Sequence, residues 1–221
     1  EALIDKACQI WSPENLEITL EANPNSIDLK KFKAFAHAGV NRVSVGIQSL
    51  DPDVLKFLGR THSKDEAIRA IEIARQTFDR YSFDLIYARP DQTWDMWEKE
   101  LMKALPLVGE HMSLYQLTIE PQTAFYTAYQ RGDWKLPSEE MQALLYQNTN
   151  SLLKSHGLNA YEVSNYAKPG QECRHNLAYW RYQDYIPIGP GAHGRMEFLD
   201  IPKKFQNMDS KMRVEGAEYT L

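Results

Sequence analysis

The sequence is poor in cysteine: Cys8 and Cys173 are the two in 221 residues. A disulfide scaffold is excluded, and a reducing compartment, the cytoplasm, is the expected location. The thiolate set of an ordinary iron–sulfur cluster is also out of reach of these residues alone. Long apolar runs are absent, none coming near the ~20 residues of a bilayer-crossing helix, so no transmembrane segment is expected. An excess of basic charge is absent too. Lys and Arg number 25 against 30 Asp and Glu, a net charge of −5, which argues against a nucleic-acid backbone binder. Repeats and low-complexity tracts are missing. What remains is a chain with 43% apolar residues, enough for a sizeable core in one large domain or a domain and a half.

The patterning alternates short apolar strands with longer helical stretches. An amphipathic helix opens the chain through Leu3, Ile4, Ala7, Ile10 and Trp11 and is stopped by Ser12-Pro13. Strands are expected at Leu16–Leu20, Arg42–Ile47, Ser82–Tyr87 and Met112–Thr118, with a further one at Asn159–Val163. Helices are expected at Leu29–Ala38 (N-cap Asp28), Pro52–Leu58, Ser63–Phe78, Asp95–Leu105 and Ser138–Ser155. Ser63 and Glu66 have the spacing of a capping box. Strand and helix in alternation mean βαβ units and a mostly parallel sheet, an α/β fold.

The facing of the strands narrows this. Thr19 and Glu21 share one face of the first strand. Ser44, Gly46 and Gln48 lie opposite Val43, Val45 and Ile47, and Ser82 and Asp84 lie opposite Phe83 and Leu85. One face is apolar and suited to helices. The other is small and polar, with Glu21, Gln48 and Asp84 near the carboxyl ends. An open doubly wound sheet wants both faces apolar; a barrel with a ligand in its mouth wants this pattern. In the fourth strand Met112, Leu114, Gln116 and Thr118 share a face, which leaves its orientation open. An α+β sheet with one wetted side is the plainer alternative.

Single motifs each carry two readings. Glu21, before Ala22-Asn23-Pro24, can accept both hydroxyls of a ribose diol, or stand exposed beside an Asn-Pro turn. Gly46-Ile47-Gln48-Ser49 lets a ligand approach the backbone and offers an amide that donates and accepts. Arg60, in Leu58-Gly59-Arg60-Thr61-His62, suits carboxylate recognition or is a surface charge. Asp84 inside an apolar strand needs a partner or a ligand. His175 and Tyr179 of His175-Asn176-Leu177-Ala178-Tyr179-Trp180 can share a helical face, as a haem or substrate contact or as structure. Gly189-Pro190-Gly191-Ala192-His193-Gly194 is a glycine-rich loop but not a dinucleotide fingerprint. Cys173-Arg174-His175 is too sparse for zinc.

In order along the chain, however, these motifs are specific. The Glu21–Pro24 turn, Gly39–Ser49, Leu58–His62, Asp84–Tyr87 with Pro90-Asp91-Gln92-Thr93, Tyr115–Pro121, Tyr161–Ala167, His175-Asn176-x-x-Tyr179-Trp180 and Gly189-x-Gly191-Ala192-His193-Gly194 together resemble the radical S-adenosylmethionine proteins related to oxygen-independent coproporphyrinogen III oxidase. Within them, the resemblance is to the heme chaperone branch, through the His-Asn-x-x-Tyr-Trp motif and the Tyr115–Pro121 strand. It runs from about Leu16 to Gly194.

The resemblance implies a partial (βα)6 barrel that binds S-adenosylmethionine at the strand carboxyl ends. Glu21 holds the ribose, and Gln48, Arg60 and Asp84 match further positions of that site. Thr118 and His193 fall at backbone or packing contacts, and His175 is the candidate haem contact. The family's cysteine loop, ligating a [4Fe–4S] cluster, is absent, and Ala88-Arg89 replaces a common Gly-Leu. We therefore expect a piece of a longer protein. Its barrel core would span residues 1–165 from the third strand onward, with a post-barrel segment at 166–221. The implied function is that of a heme chaperone of porphyrin metabolism, with haem or porphyrin and a haem-accepting protein as partners. The alternatives are coproporphyrinogen III oxidase proper, a haem carrier without radical chemistry, and a cluster-independent barrel lyase using Glu21 and Asp84. The chain alone is expected to be inactive.

Overall fold

A computed structural model describes residues 1–11, 14–190 and 192–195, and the backbone of 218–220. The stop expected at Ser12-Pro13 and the middle glycine of the Gly189–Gly194 loop, Gly191, lie outside the described residues. The chain divides into two compact units, 1–172 and 173–221.

The first unit opens with α1 (Ala2–Trp11) and is built on one sheet. Its strands are β1 (Thr19–Ala22), β2 (Arg42–Gln48), β3 (Arg80–Tyr87), β4 (His111–Gln116), β5 (Asn159–Ala160) and β6 (Asn165–Ala167). Their order is β1-β2-β3-β4-β6-β5, with β1 at an edge among the described residues. The first four run parallel; β6 pairs antiparallel with both β4 and β5. Between the parallel strands lie α2 (Leu29–His37), α3 (Pro52–Phe57), α4 (Lys64–Thr77) and α5 (Trp94–Ala104); α6 (Ala124–Arg131) and α7 (Glu139–Ser155) follow β4.

Local chemistry sets the helix starts. The Asp28 carboxylate accepts from Lys31 N–H at the head of α2, and Ser63 and Glu66 form the complete capping box of α4. Thr93, Thr123 and Ser138 cap α5, α6 and α7 in the same way. α6 was not expected from the apolar pattern, although Thr123 at its head and Gly132 in the left-handed conformation at its end mark it.

The apolar face of the sheet packs against these helices. Val43, Val45, Ile47, Phe83, Leu85, Met112 and Leu114 meet Ala67, Ala70, Ile71, Ala74, Trp97, Leu101 and Leu145 in one core. Trp97 stacks on Tyr87, with ring centroids 5.1 Å apart, and its Nε1–H donates to Thr149 Oγ1 at 2.8 Å. Met112 and Leu114 thus settle the orientation of β4: they face the helices, while His111, Ser113 and Tyr115 alternate onto the other face.

The expected strand Asn159–Val163 is shorter, ending at Ala160. Glu162 Oε1 accepts the Ser164 N–H at 2.9 Å, which bends the chain back into β6.

In the second unit α8 (Arg174–Trp180) is followed by β7 (His193–Arg195), which pairs antiparallel with β8 (Glu218–Thr220). Gly194 is required sterically: a Cβ there would overlap the Pro187 ring.

Candidate functional site

Parallel register brings the polar faces of the strands into rows. Glu21 pairs with Ser44, and Ser44 with Ser82; Asp84 pairs with Ser113, and Ser113 with Asn165. At the carboxyl end a cavity of about 370 Å³ is lined by Glu21, Ala22, Asn23, Ser44, Gly46, Gln48 and Asp84. Three of the four barrel residues expected at an adenosylmethionine site are therefore together. Arg60 is not among them. It follows α3, is exposed, and lines a separate hollow with Lys56, His62 and Lys64. Helix α3 ends before it, and Gly59 in the left-handed conformation turns the chain there. Thr118 lines another hollow, with Tyr87, Tyr115 and Gln116.

Gly46 permits the approach of Gln48 into the cavity: a Cβ on Gly46 would lie 3.0 Å from Gln48 Nε2. Asp84 accepts from Ser44 Oγ at 3.3 Å. Burial pushes its carboxyl up to about 6, the neighbouring Glu21 adding to the rise and the hydrogen bonds of Ser44 and Ser113 and the charge of Arg42 opposing it. The side chains of Glu21 and Gln48 make no hydrogen bond or ion pair among the described residues. The donor set suits a polar ligand rich in hydroxyl and amino groups. Two carboxylates accept from a diol or an ammonium, and one amide both donates and accepts. S-Adenosylmethionine, with its ribose diol and amino-acid end, fits that set.

Below this row lies a second one that sequence reasoning missed. Arg42, Ser82 and His111 are buried at the amino ends of the strands. Arg42 Nη2 lies 3.4 Å from His111 Nδ1 and Ser82 Oγ 2.7 Å from the same atom; His111 Nε2 lies 2.8 Å from Tyr161 Oη. Arginine can only donate, so Nδ1 is the acceptor and Nε2–H donates to Tyr161. Burial, with the charges of Arg42 and Arg80, pulls the His111 imidazole down to about 3, which keeps it neutral. The signal was the buried alternation of β4, legible only once its facing is known.

In the second unit His175 and Tyr179 do share a helical face, with centroids 4.6 Å apart; the Tyr185 ring lies tilted against Tyr179 at 4.3 Å and 6.5 Å from His175. His175 is exposed. His193 stands on β7.

A metal cluster is not housed by these residues. Among the described residues no three His, Cys, Asp or Glu side chains are grouped to hold a metal, and Cys8 lies on α1 while Cys173 belongs to the second unit. No described helix is long and apolar enough to cross a membrane.

A family model of the radical SAM superfamily matches residues 1–104. Residues 1–104 thus match the radical SAM domain of that superfamily, whose members use S-adenosylmethionine and a [4Fe–4S] cluster. Within it the chain is similar to proteins that include heme chaperones. It is 43% identical over 213 residues to "Radical S-adenosyl methionine domain-containing protein 1, mitochondrial" of Mus musculus, covering 96% of this chain and 47% of that protein. It is 39% identical over 195 residues to "Heme chaperone HemW" of Bacillus subtilis, covering 87% and 52%. The chain thus spans about half the length of the curated relatives it matches. The solved coproporphyrinogen III oxidase (HemN) from Escherichia coli, a radical SAM enzyme, superposes with a TM-score of 0.67 at 21% identity, covering 87% of this chain and 48% of that one. That likeness supports the fold: a mixed α/β architecture whose mostly parallel sheet is similar to the HemN barrel.

Proposed function

We propose that this chain is the adenosylmethionine- and haem-handling part of a radical-SAM heme chaperone-like protein. One observation carries the reading: Glu21, Gln48 and Asp84, far apart in sequence, line a single cavity at the carboxyl ends of adjacent parallel strands. In that cavity Glu21 accepts the ribose hydroxyls, the Gln48 amide orients the ligand through its donor and its acceptor, and Asp84, with its raised carboxyl, accepts or donates a proton near neutrality. Adenosylmethionine bound there would supply hydrogen-abstracting radical chemistry once given an electron by the [4Fe–4S] cluster. The thiolates for the cluster would come from outside this chain. Arg60, exposed and outside the cavity here, is the least supported of the four positions.

The His175–Tyr179–Tyr185 group supports the haem half. An imidazole on an exposed helix face, flanked by two phenol rings, would offer a nitrogen ligand to the haem iron and aromatic surface to the macrocycle. The name "Heme chaperone" on relatives points the same way. A haem-accepting protein is the implied partner, and a reducing compartment, the cytoplasm or its mitochondrial counterpart, the implied location. The test is a visible-absorption titration of the full-length protein with haemin. His175→Ala is expected to weaken binding at least tenfold while His37→Ala leaves it unchanged. Equal loss in both variants removes the assignment, and turnover of coproporphyrinogen III by the full-length protein would move it to the oxidase.

A further inference from the structure

Gln48 reaches the cavity from a strained backbone. Its φ is +65°, in the left-handed region that a residue with a side chain adopts only when its surroundings hold it there. The β2–β3 ladder slips at this point: Val45 pairs with Phe83, and the next pair is Gln48 with Leu85, a bulge that re-aims the side chain. On one side of it the Ile47 carbonyl accepts the Ser49 N–H at 2.8 Å and lies 3.0 Å from Nε2 of the buried His62.

On the other side stands a buried charged cluster outside the cavity. Ser49 Oγ donates to Glu100 Oε1, and the Leu50 N–H donates to the same oxygen at 3.2 Å. Arg89 Nη2 donates to Glu100 Oε2 and Nη1 to Ser49 Oγ at 3.3 Å; the Asp51 N–H donates to Ser49 Oγ at 3.0 Å. Ser49, Arg89 and Glu100 are 0%, 6% and 7% exposed. A buried ion pair contributes little net stability over an apolar replacement; fixing geometry is its better-attested use. This one ties the end of β2, the loop after β3 and helix α5 together one residue beyond Gln48.

We propose that Arg89 and Glu100 are positioning residues: through Ser49 they hold the bulge that aims the Gln48 amide into the cavity, and so set the affinity for adenosylmethionine. The proposal rests on the reading of the cavity given above. Glu100→Gln is the direct perturbation: its amide keeps one acceptor oxygen where the carboxylate has two, so an NH2 replaces the acceptor either of Arg89 or of Ser49 and the Leu50 N–H, while the size of the side chain is kept.

The test is a double-mutant cycle on the anaerobically prepared full-length protein: wild type, Gln48→Ala, Glu100→Gln and the pair. Adenosylmethionine affinity is read by equilibrium dialysis, folding by circular dichroism, and backbone protection at Ser49 and Leu50 by amide exchange. Each single variant is expected to lose about tenfold in affinity, and the pair no more than Gln48→Ala alone. Exchange at Ser49 and Leu50 should rise at least tenfold in Glu100→Gln, with the central strands unchanged. A hundredfold loss in the pair, or a Glu100→Gln affinity within twofold of wild type, overturns the proposal. If Glu100→Gln does not fold, Ser49→Ala takes its place in the cycle under the same criteria. A wild-type protein that does not bind adenosylmethionine overturns the cavity reading and the affinity half of this one. Exchange at Ser49 and Leu50 then still decides whether the cluster holds the bulge, and unchanged exchange refutes it.

Discussion

Replacing Asp84 with asparagine should stabilise the protein at neutral pH while weakening its ligand site. The carboxyl rises from 3.8 to about 6 on folding, about two units, and each unit corresponds to 1.36 kcal/mol. Between about pH 4 and pH 6 the folded state therefore holds a proton that the unfolded state has released. Stability falls as pH rises through that window and is flat above it. At pH 7.5 ionised Asp84 costs roughly 2–3 kcal/mol, the lower figure allowing for its opening onto the cavity. An asparagine amide in its place is isosteric, still accepts from Ser44, and carries no charge beside Glu21. Urea unfolding of wild type and Asp84→Asn from pH 3.5 to 8 is the assay. The two should coincide near pH 3.5 and diverge by about 2–3 kcal/mol above pH 6, while adenosylmethionine binding by the variant falls about tenfold, the usual exchange between stability and function. A pH-independent difference, or a variant less stable at pH 7.5, would refute the reasoning.

His111 predicts the opposite limb. Its imidazole is pulled from 6.5 to about 3, so the unfolded chain takes up the proton first and stability is lost below pH 6.5, by up to ~1.4 kcal/mol per unit. His111→Gln, which keeps an acceptor for Arg42, should flatten that limb in the same urea series; an unaltered slope between pH 6.5 and 4.5 counts against the neutral assignment. Gly46→Ala and Gly109→Ala form a contrasting pair. The first puts a methyl 3.0 Å from Gln48 Nε2 at a position with ordinary φ, so affinity should drop about tenfold, as one lost charge-assisted contact would give, with unfolding nearly unchanged. The second puts one 2.7 Å from the Tyr81 ring and should cost about 1–3 kcal/mol of stability without touching affinity. Trp97→Phe removes the bond to Thr149 and part of the stack on Tyr87; a loss of about 2 kcal/mol is expected, and less than ~0.5 would mean the core closes around the smaller ring.

The alternation of β2 and β3 was legible because their apolar positions are uninterrupted Val, Ile, Phe and Leu, and because polar residues on the other face are too numerous to be accidental. The capping box at Ser63 was legible for the same local reason. β4 was not, since His111 and Ser113 look like surface residues until their register with Ser82 and Asp84 is known. The antiparallel β6 was hidden because three residues, Asn165–Ala167, carry no period. Arg60 was grouped with the cavity through family position alone, and its local chemistry, an exposed residue after a glycine turn, gives no reason for it to reach Glu21.

The two polar rows on the inner face show why the upper one is the site. Both sit on the same strands, two residues apart, with similar residue types. In the lower row the donors turn onto neighbours in the row: Arg42 and Ser82 on His111, His111 on Tyr161. The groups of that row face one another, and burial with the charges of Arg42 and Arg80 keeps the imidazole neutral. In the upper row Glu21 and Gln48 have no partner of their own among the described residues, and Asp84 has hydroxyl neighbours where a cation would relieve it. A half-buried carboxylate beside another, which hydroxyl hydrogen bonds and the charge of Arg42 offset only in part, carries a net cost. Hydroxyl and ammonium groups of a ligand in the cavity would offset that cost by hydrogen bonding and by charge.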